Sequence, residues 1–356
     1  MSMNDLTARL TNAWIGRISG CQLGKPVELL SMRKGYEELQ RYLQDSQSLP
    51  LRDYVKFLPD RRVAAASCRE HIVRSEPDDD INYSVLELEL LEEHGLGLST
   101  EDVARSWLKR LPAASTFTAE RMAYRTLLMH CDEWFAEGKP PGFDLALCSD
   151  NAYNLWIGAQ IRADVYGWVC PGQPSLAADL ARRDAELSHR EDGVYGAMFV
   201  AALGAALATM SPDEAFTAAL AEVPDDSDTA AAARFGYEHA GNAEAGELIR
   251  DRYPSLSPVA TVNNLCVVVW ALYSHLEDFG AAIGEAVCAG WDTDCNGATV
   301  GALWGLQGGE IPHSWSAPWQ GQVGLSLAGL NEVTVTELVE RTVAVTQLLS
   351  GTNESD

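Results

Sequence analysis

A helical hydrophobic repeat runs through almost the whole chain, and it leaves little room for anything but an all-α fold. Apolar side chains recur at three- and four-residue steps. Leu6, Leu10, Ala13 and Trp14, with Arg17, sketch a first helix that runs into Gly16, Gly20 and Gly24. Ser84 is read as the cap of a helix through SVLELELLEEHG that Gly95 stops, and Ser99 to Asp102 open another that Pro112 closes. The same spacing predicts helices over 118–136, 174–188, 194–210, 212–222, 227–241, 260–275, 278–289, 296–306 and 334–349. Alternating segments are scarce, and no strand is predicted. The connections Lys139–Gly142, Pro171–Pro174, Val223–Asp226 and Tyr253–Pro258 are short, as they are inside one domain. The expectation is a single compact multi-helix domain over 1–350 with a frayed tail over 351–356. Residues 25–83 form the longest irregular stretch and carry the most distinctive acidic run; such loops tend to hold function.

Charge and composition exclude several classes of partner. Against 26 Lys and Arg stand 51 Asp and Glu, a net charge of −25. That field repels phosphate backbones, so neither nucleic acid nor an anionic membrane is expected as a partner. Gly193–Pro212 is uncharged and near the roughly 20 residues that span a bilayer. Ala and Gly supply much of it, however, which suits a core helix that neighbours approach closely. The opening MSMNDLTARLTNAW lacks the basic head and apolar run of a secretory signal. The eight cysteines, at 21, 68, 131, 148, 170, 266, 288 and 295, form no CxxC pair and no zinc-ligand spacing. Reduced, mostly buried thiols in a cytoplasmic protein are the reading.

Two acidic clusters stand out, Asp78-Asp79-Asp80 near the end of the long loop and Asp292-Thr293-Asp294 before a helix of small residues. One aspartate at a helix N-terminus is explained as a cap. A third run, Asp225-Asp226-Ser227-Asp228, is read as just such a solvated cap. If the other two clusters met, five carboxylates would share one small volume and their pKa values would rise unless cations compensated them. An all-oxygen donor set suits Mg²⁺, Mn²⁺ or Ca²⁺. On spacing alone, two unrelated caps remain the competing reading.

Four segments taken together resemble the ADP-ribosylglycohydrolase family, which includes the dinitrogenase-reductase-activating glycohydrolase. They are GRISGCQLGKPVE (16–28), EPDDDINYS (76–84), LWIGAQIRADVYG (155–167) with AELSHREDGVYGAMF (185–199), and GWDTDCNGATVGALWG (290–305). The resemblance implies an all-helical fold whose cleft holds two divalent cations, Mg²⁺ or Mn²⁺. It also implies hydrolysis at C1′ of an ADP-ribosyl group, with an ADP-ribosylated protein or a small ribosylated molecule as substrate.

Carried over by position, Asp79, Asp80, Asp292 and Asp294 match the family's metal-binding aspartates. Asp78 falls on a threonine of the pattern and becomes an anionic ligand. Glu28 matches the glutamate beside metals and substrate, the implied catalytic base or orienting acceptor. Gly158 falls in the loop that approaches the ribose-phosphate, and His189 on a histidine lining the cleft. This chain departs from the pattern at Cys21, where many members have Asp, at Ile157 in place of a polar residue, and at Cys295 in place of Thr or Ser. Both thiols are read as packed side chains rather than nucleophiles. Three alternatives stay open: a hydrolase of a small ribosylated metabolite, a catalytically inactive ADP-ribose-binding protein, and a calcium-stabilised structural protein.

Overall fold

The computed structural model describes residues 1–352, with side chains through 350; residues 353–356 of the expected tail lie outside the described residues. The chain runs α1 (Met3–Gly24), α2 (Glu28–Lys34), α3 (Tyr36–Asp45), α4 (Asp79–His94), α5 (Thr100–Arg110), α6 (Thr118–His130), α7 (Asp164–Trp168) and α8 (Pro174–Ala185). It continues through α9 (Asp192–Leu207), α10 (Pro212–Leu220), α11 (Asp228–Glu238), α12 (Ala245–Arg252), α13 (Thr261–Ser274), α14 (Phe279–Cys288) and α15 (Thr293–Leu306). A hairpin of β1 (Gln322–Leu327) and β2 (Leu330–Thr334) then leads into α16 (Val335–Thr352). One continuous hydrophobic core joins these elements.

The architecture is all-α, as the periodicity predicts. The central pair is α1 and α15, which cross with backbone against backbone. A Cβ on Gly16, Gly20 or Gly24 would lie 2.0, 1.9 or 2.2 Å from the carbonyl oxygens of Gly301, Gly297 and Thr293. Only glycine permits that approach. On another face α1 seats Trp14, whose Nε1 donates to Thr342 Oγ1 at 3.0 Å and whose ring meets Trp168 edge-on at 4.8 Å. The uncharged stretch near 200 forms α9, buried on almost every face. No helix among the described residues is long and apolar enough to cross a membrane.

The structure corrects the sequence reading at four places. First, residues 25–83 are not wholly irregular, because α2 and α3 lie within them. Second, α4 starts at Asp79 rather than near Ser84. Asp78 caps it by accepting from Asp80 N at 3.0 Å, while the Ser84 hydroxyl donates back to Asp80 O at 2.9 Å. Third, α6 stops at His130, since Asp132 turns the chain by accepting from Trp134 N at 2.9 Å. Fourth, the hairpin was not expected. Its antiparallel register pairs Val323 with Val333, and β1 also bridges Ser75, with Ser75 N donating to Gln322 O at 2.9 Å and Gly324 N to Ser75 O at 2.8 Å. Ser326 N donates to Asn82 Oδ1 at 2.8 Å. The hairpin thereby clamps both sides of the Asp78–Asp80 segment.

Candidate metal centre and cleft

The α1–α15 crossing decides where the acidic segments go. It sets the C-terminal end of α1 beside the N-terminal end of α15, and Thr293 Oγ1 fastens them by donating to Gly24 O at 2.9 Å. Four residues after Gly24 the chain enters α2, which opens with Glu28. The turn before α15 uses left-handed backbone at Gly290 (φ 88°) and Trp291 (φ 59°). A non-glycine residue there is strained, a conformation that clusters at functional sites. Asn264 of α13 holds this turn, accepting from Asp292 N at 3.3 Å and from Asn296 Nδ2 at 2.8 Å.

The two predicted clusters therefore meet. Glu28, Asp292 and Asp294 form one group, Asp80, Asp294 and Cys295 a second, and Cys21, Asp78 and Asp80 a third. Within each group the candidate ligand atoms lie within 4.8 Å of one another. Asp79 joins none of these groups but lines the same cleft of about 760 Å³ as Glu28, Asp78, Asp292, Asp294 and Gly158. The run at 225–228 behaves as the solvated cap expected of it: Ser227 caps α11, and Asp225 pairs with Arg234 in solvent.

The electrostatics show a cluster short of positive charge. Burial, then the field of Asp78, pushes Asp79 and Asp80 well above the ordinary carboxylate range, and burial with Asp294 does the same to Asp292. Asp294 rises to about 6 by burial and then Asp78. Glu28 rises to about 11, by burial first and then by Asp294 and Asp292. Asp78 is the exception. Burial is the largest single influence and opposes its ionisation, but the Lys25 ammonium and the hydrogen bonds from Lys25 and Asp80 together hold the carboxyl below its usual value. Lys25 also donates to Pro77 O at 2.9 Å, and its ion pair with Asp78 occupies one carboxylate oxygen while Asp80 N occupies the other. Asp80 Oδ2 and Asp294 Oδ1, by contrast, are buried with no hydrogen-bond partner. Orphaned anionic oxygens converging from two segments fit divalent cations, which supply the missing charge and the missing partners.

Several residues that position this site read from the sequence only as charged helix residues. Arg17, fully buried on α1, donates to Asp80 O at 2.9 Å, to Ser84 Oγ at 2.6 Å and to Asp164 Oδ2 at 2.6 Å, and also reaches Ile161 O. It thus ties the start of α4 to the 157–164 segment. Arg162 is likewise buried and pairs with Glu120 at 2.7 Å and with Asp184. Gly158 stands at the cleft wall because a Cβ there would lie 2.0 Å from Glu120 Oε1. His189 is placed differently from the expectation. It does not line the cleft but lies buried behind it, with Nδ1 2.8 Å from Ser188 Oγ and Nε2 3.7 Å from Glu120 Oε1. Burial, and then Arg162, pushes its pKa well down, so the ring is neutral. Glu120, paired with Arg162, stands between the ring and the cleft that it lines.

A family model described as ADP-ribosylglycohydrolase matches residues 2–348. Among solved structures, one described as an ADP-ribosylglycohydrolase-related protein complex is 20% identical and covers 97% of this chain and 99% of its own, with a TM-score of 0.59. That likeness concerns the fold. No curated protein matches the chain.

Proposed function

The chain belongs to the ADP-ribosylglycohydrolase family, whose class of activity is glycosidic hydrolysis, and from that premise we propose a metal-dependent hydrolase that cuts an ADP-ribosyl bond at C1′ and releases ADP-ribose. The observation that carries the reading is the convergence of Glu28, Asp292 and Asp294 with Asp80 at one end of a cleft large enough for a nucleotide-sized ligand. Asp80, Asp292 and Asp294 are the ligands of first choice, with Asp79 completing the set from the cleft side. Asp78 contributes less, because Lys25 and the Asp80 amide already engage both its oxygens. Divalent cations bound there supply Lewis acidity toward ribose hydroxyls and water.

The chain's own residues do the rest. Neutralising the Asp294 and Asp292 field that raises its pKa would leave Glu28 ionised, able to accept the proton of the water that attacks C1′ and to pass a proton on to the leaving group as its bond breaks, a role worth about 10²–10⁴ in rate. Lys25 and Arg33 are the cations of the cleft lining and receive the anionic part of the substrate, which the surrounding acidic surface would otherwise repel. Gly158 keeps the wall low enough for a sugar-phosphate to pass Glu120. His189 acts only through Glu120, as a neutral support.

Purified protein offered ADP-ribosyl-arginine, ADP-ribosyl-serine and simple nucleosides should release ADP-ribose from at least one ADP-ribosylated compound. Chelator should stop turnover, and Mg²⁺ or Mn²⁺ should restore it. The paired variant Asp292→Asn, Asp294→Asn should bind no metal by calorimetry. Turnover that ignores chelator, or full metal content in that variant, defeats the proposal.

A further inference from the structure

Two thiols stand among the carboxylates of the cleft floor. Cys21 Sγ on α1 lies within 4.8 Å of ligand oxygens of Asp78 and Asp80, and Cys295 Sγ on α15 within the same distance of Asp80 and Asp294. Both are buried, neither is in a disulfide, and Cys295 opens on the cleft. Among the described residues, the other six cysteines stand in no group able to hold an ion. A packed thiol in an apolar core would explain burial alone. It does not explain why each of these two sulfurs shares its group with an aspartate that carries a buried oxygen without a partner, Asp80 for both and Asp294 for Cys295. Asp80 belongs to both groups, so the two sulfurs flank one carboxylate.

We propose that Cys21 and Cys295 are metal ligands and that the centre is a mixed thiolate–carboxylate site. The inference rests on the metal centre proposed above and specifies its donors. Each thiol gives up its proton as its sulfur–metal bond forms, Cys295 to solvent through the cleft it lines and Cys21, which does not line the cleft, by way of the neighbouring Asp80 carboxylate. Sulfur donors favour borderline and soft ions, whereas Mg²⁺ binds oxygen. The centre therefore prefers Fe²⁺, Co²⁺ or Zn²⁺ to Mg²⁺. It also becomes sensitive to oxidation, because a coordinating sulfur that is oxidised no longer ligates as a thiolate.

Cadmium is the probe. Metal-free protein is loaded with one or two equivalents of Cd²⁺, and the sulfur-to-metal charge-transfer absorption is recorded together with X-ray absorption at the cadmium edge. The wild-type protein should show sulfur in the first coordination sphere. Cys21→Ser and Cys295→Ser should each lose a large part of the ultraviolet band, and the double variant nearly all of it, while Cys131→Ser keeps it. Cadmium affinity of the double variant should fall roughly 10–100-fold, as for loss of groups that hold or tune a metal. A wild-type first sphere of oxygen alone overturns the thiol assignment and leaves the centre standing. A wild-type protein that takes up no Cd²⁺, Mn²⁺ or Mg²⁺ overturns the centre itself. The edge measurement uses the wild-type chain, so a variant that misfolds does not blunt the test.

Discussion

Gly20→Ala sets two well-known effects against each other. In an exposed helix the change stabilises by about 0.8–1 kcal/mol, because alanine is the better helix former. Here the new Cβ would lie 1.9 Å from Gly297 O and 2.3 Å from Gly297 C. Side-chain Cβ atoms essentially never approach closer than 3.0 Å, so the helices must part by at least 1.1 Å (3.0 − 1.9) along that line. Both surfaces are helix backbone, and neither can rotate aside as a side chain would. Overpacking typically costs about 1–3 kcal/mol, and a rigid contact belongs at the upper end, so the steric effect wins. Against the propensity gain of about 1 kcal/mol, a steric cost of about 3 kcal/mol leaves a net loss of about 2 kcal/mol. With an unfolding entropy near 2.1 cal/mol/K per residue, a chain of this length shifts by roughly 1.3 °C per kcal/mol, hence a Tm lower by ~3 °C. The larger effect is functional. Parting α1 from α15 draws Glu28 away from Asp292 and Asp294, so divalent-cation affinity should fall by roughly tenfold or more, as when the supports of metal ligands are lost. Calorimetric unfolding and cation titration read the two effects. Gly97→Ala, whose Cβ would meet nothing within 4 Å, is the control and should be close to neutral. A Gly20→Ala protein with unchanged Tm and unchanged cation affinity would refute the backbone crossing and the assembly argued from it.

Arg17→Met removes one partner from a buried ionic network and leaves the buried Asp164 carboxylate without its ion-pair partner; a loss of about 3–5 kcal/mol in denaturant unfolding is expected. His189→Gln tests the neutral ring. Because the folded pKa is depressed, the unfolded chain binds the extra proton, so this residue's contribution is full above about pH 6.5 and is lost as pH falls below it. Wild-type stability relative to His189→Gln should therefore drop by up to about 1.4 kcal/mol per pH unit below that point, while a flat difference would contradict a neutral buried ring. Gly324→Ala puts a Cβ 2.8 Å from Ser75 O and 2.9 Å from Pro77 Cδ, and should weaken cation binding with helix content unchanged in circular dichroism.

The helical bulk of the molecule was legible because its signals are local. Ser99 with Asp102 forms the capping box its spacing announces, and Ser211 with Glu214 forms another in front of Pro212. The clusters at 78–80 and 292–294 were legible as residues, and the resemblance said that they meet. What makes them meet was hidden, because glycines 16, 20 and 24 matter through a partner helix almost 280 residues away. The hairpin was hidden for a different reason. Strands of six and five residues, with glycine in the first, give too few alternations to stand out, and their partner Ser75 is remote. Arg17 and Arg162 were missed because arginine on a helix is ordinarily solvated; only tertiary packing shows that each neutralises buried carboxylates. The place of His189 behind Glu120 was out of reach of a sequence reading for the same reason: it depends on a pairing between remote residues.

The departures from the family pattern make sense as a set. Asp78 adds a negative charge where the pattern has threonine, in a site already crowded with carboxylates. Taken alone, that change would raise every neighbouring pKa and strain the fold. Lys25, the residue after the α1 glycines, offsets part of that charge by pairing with Asp78, although the field of Asp78 still raises Asp79, Asp80 and Asp294. The pair is electrically neutral, like the threonine it stands for, and its carboxylate still caps α4 through the Asp80 amide. Asp78 and Lys25 therefore act as one unit. The extra aspartate gives the site a fixed cation at its rim without increasing its net negative charge. On the proposed function, the ion pair holds that cation at the rim before any anionic substrate arrives.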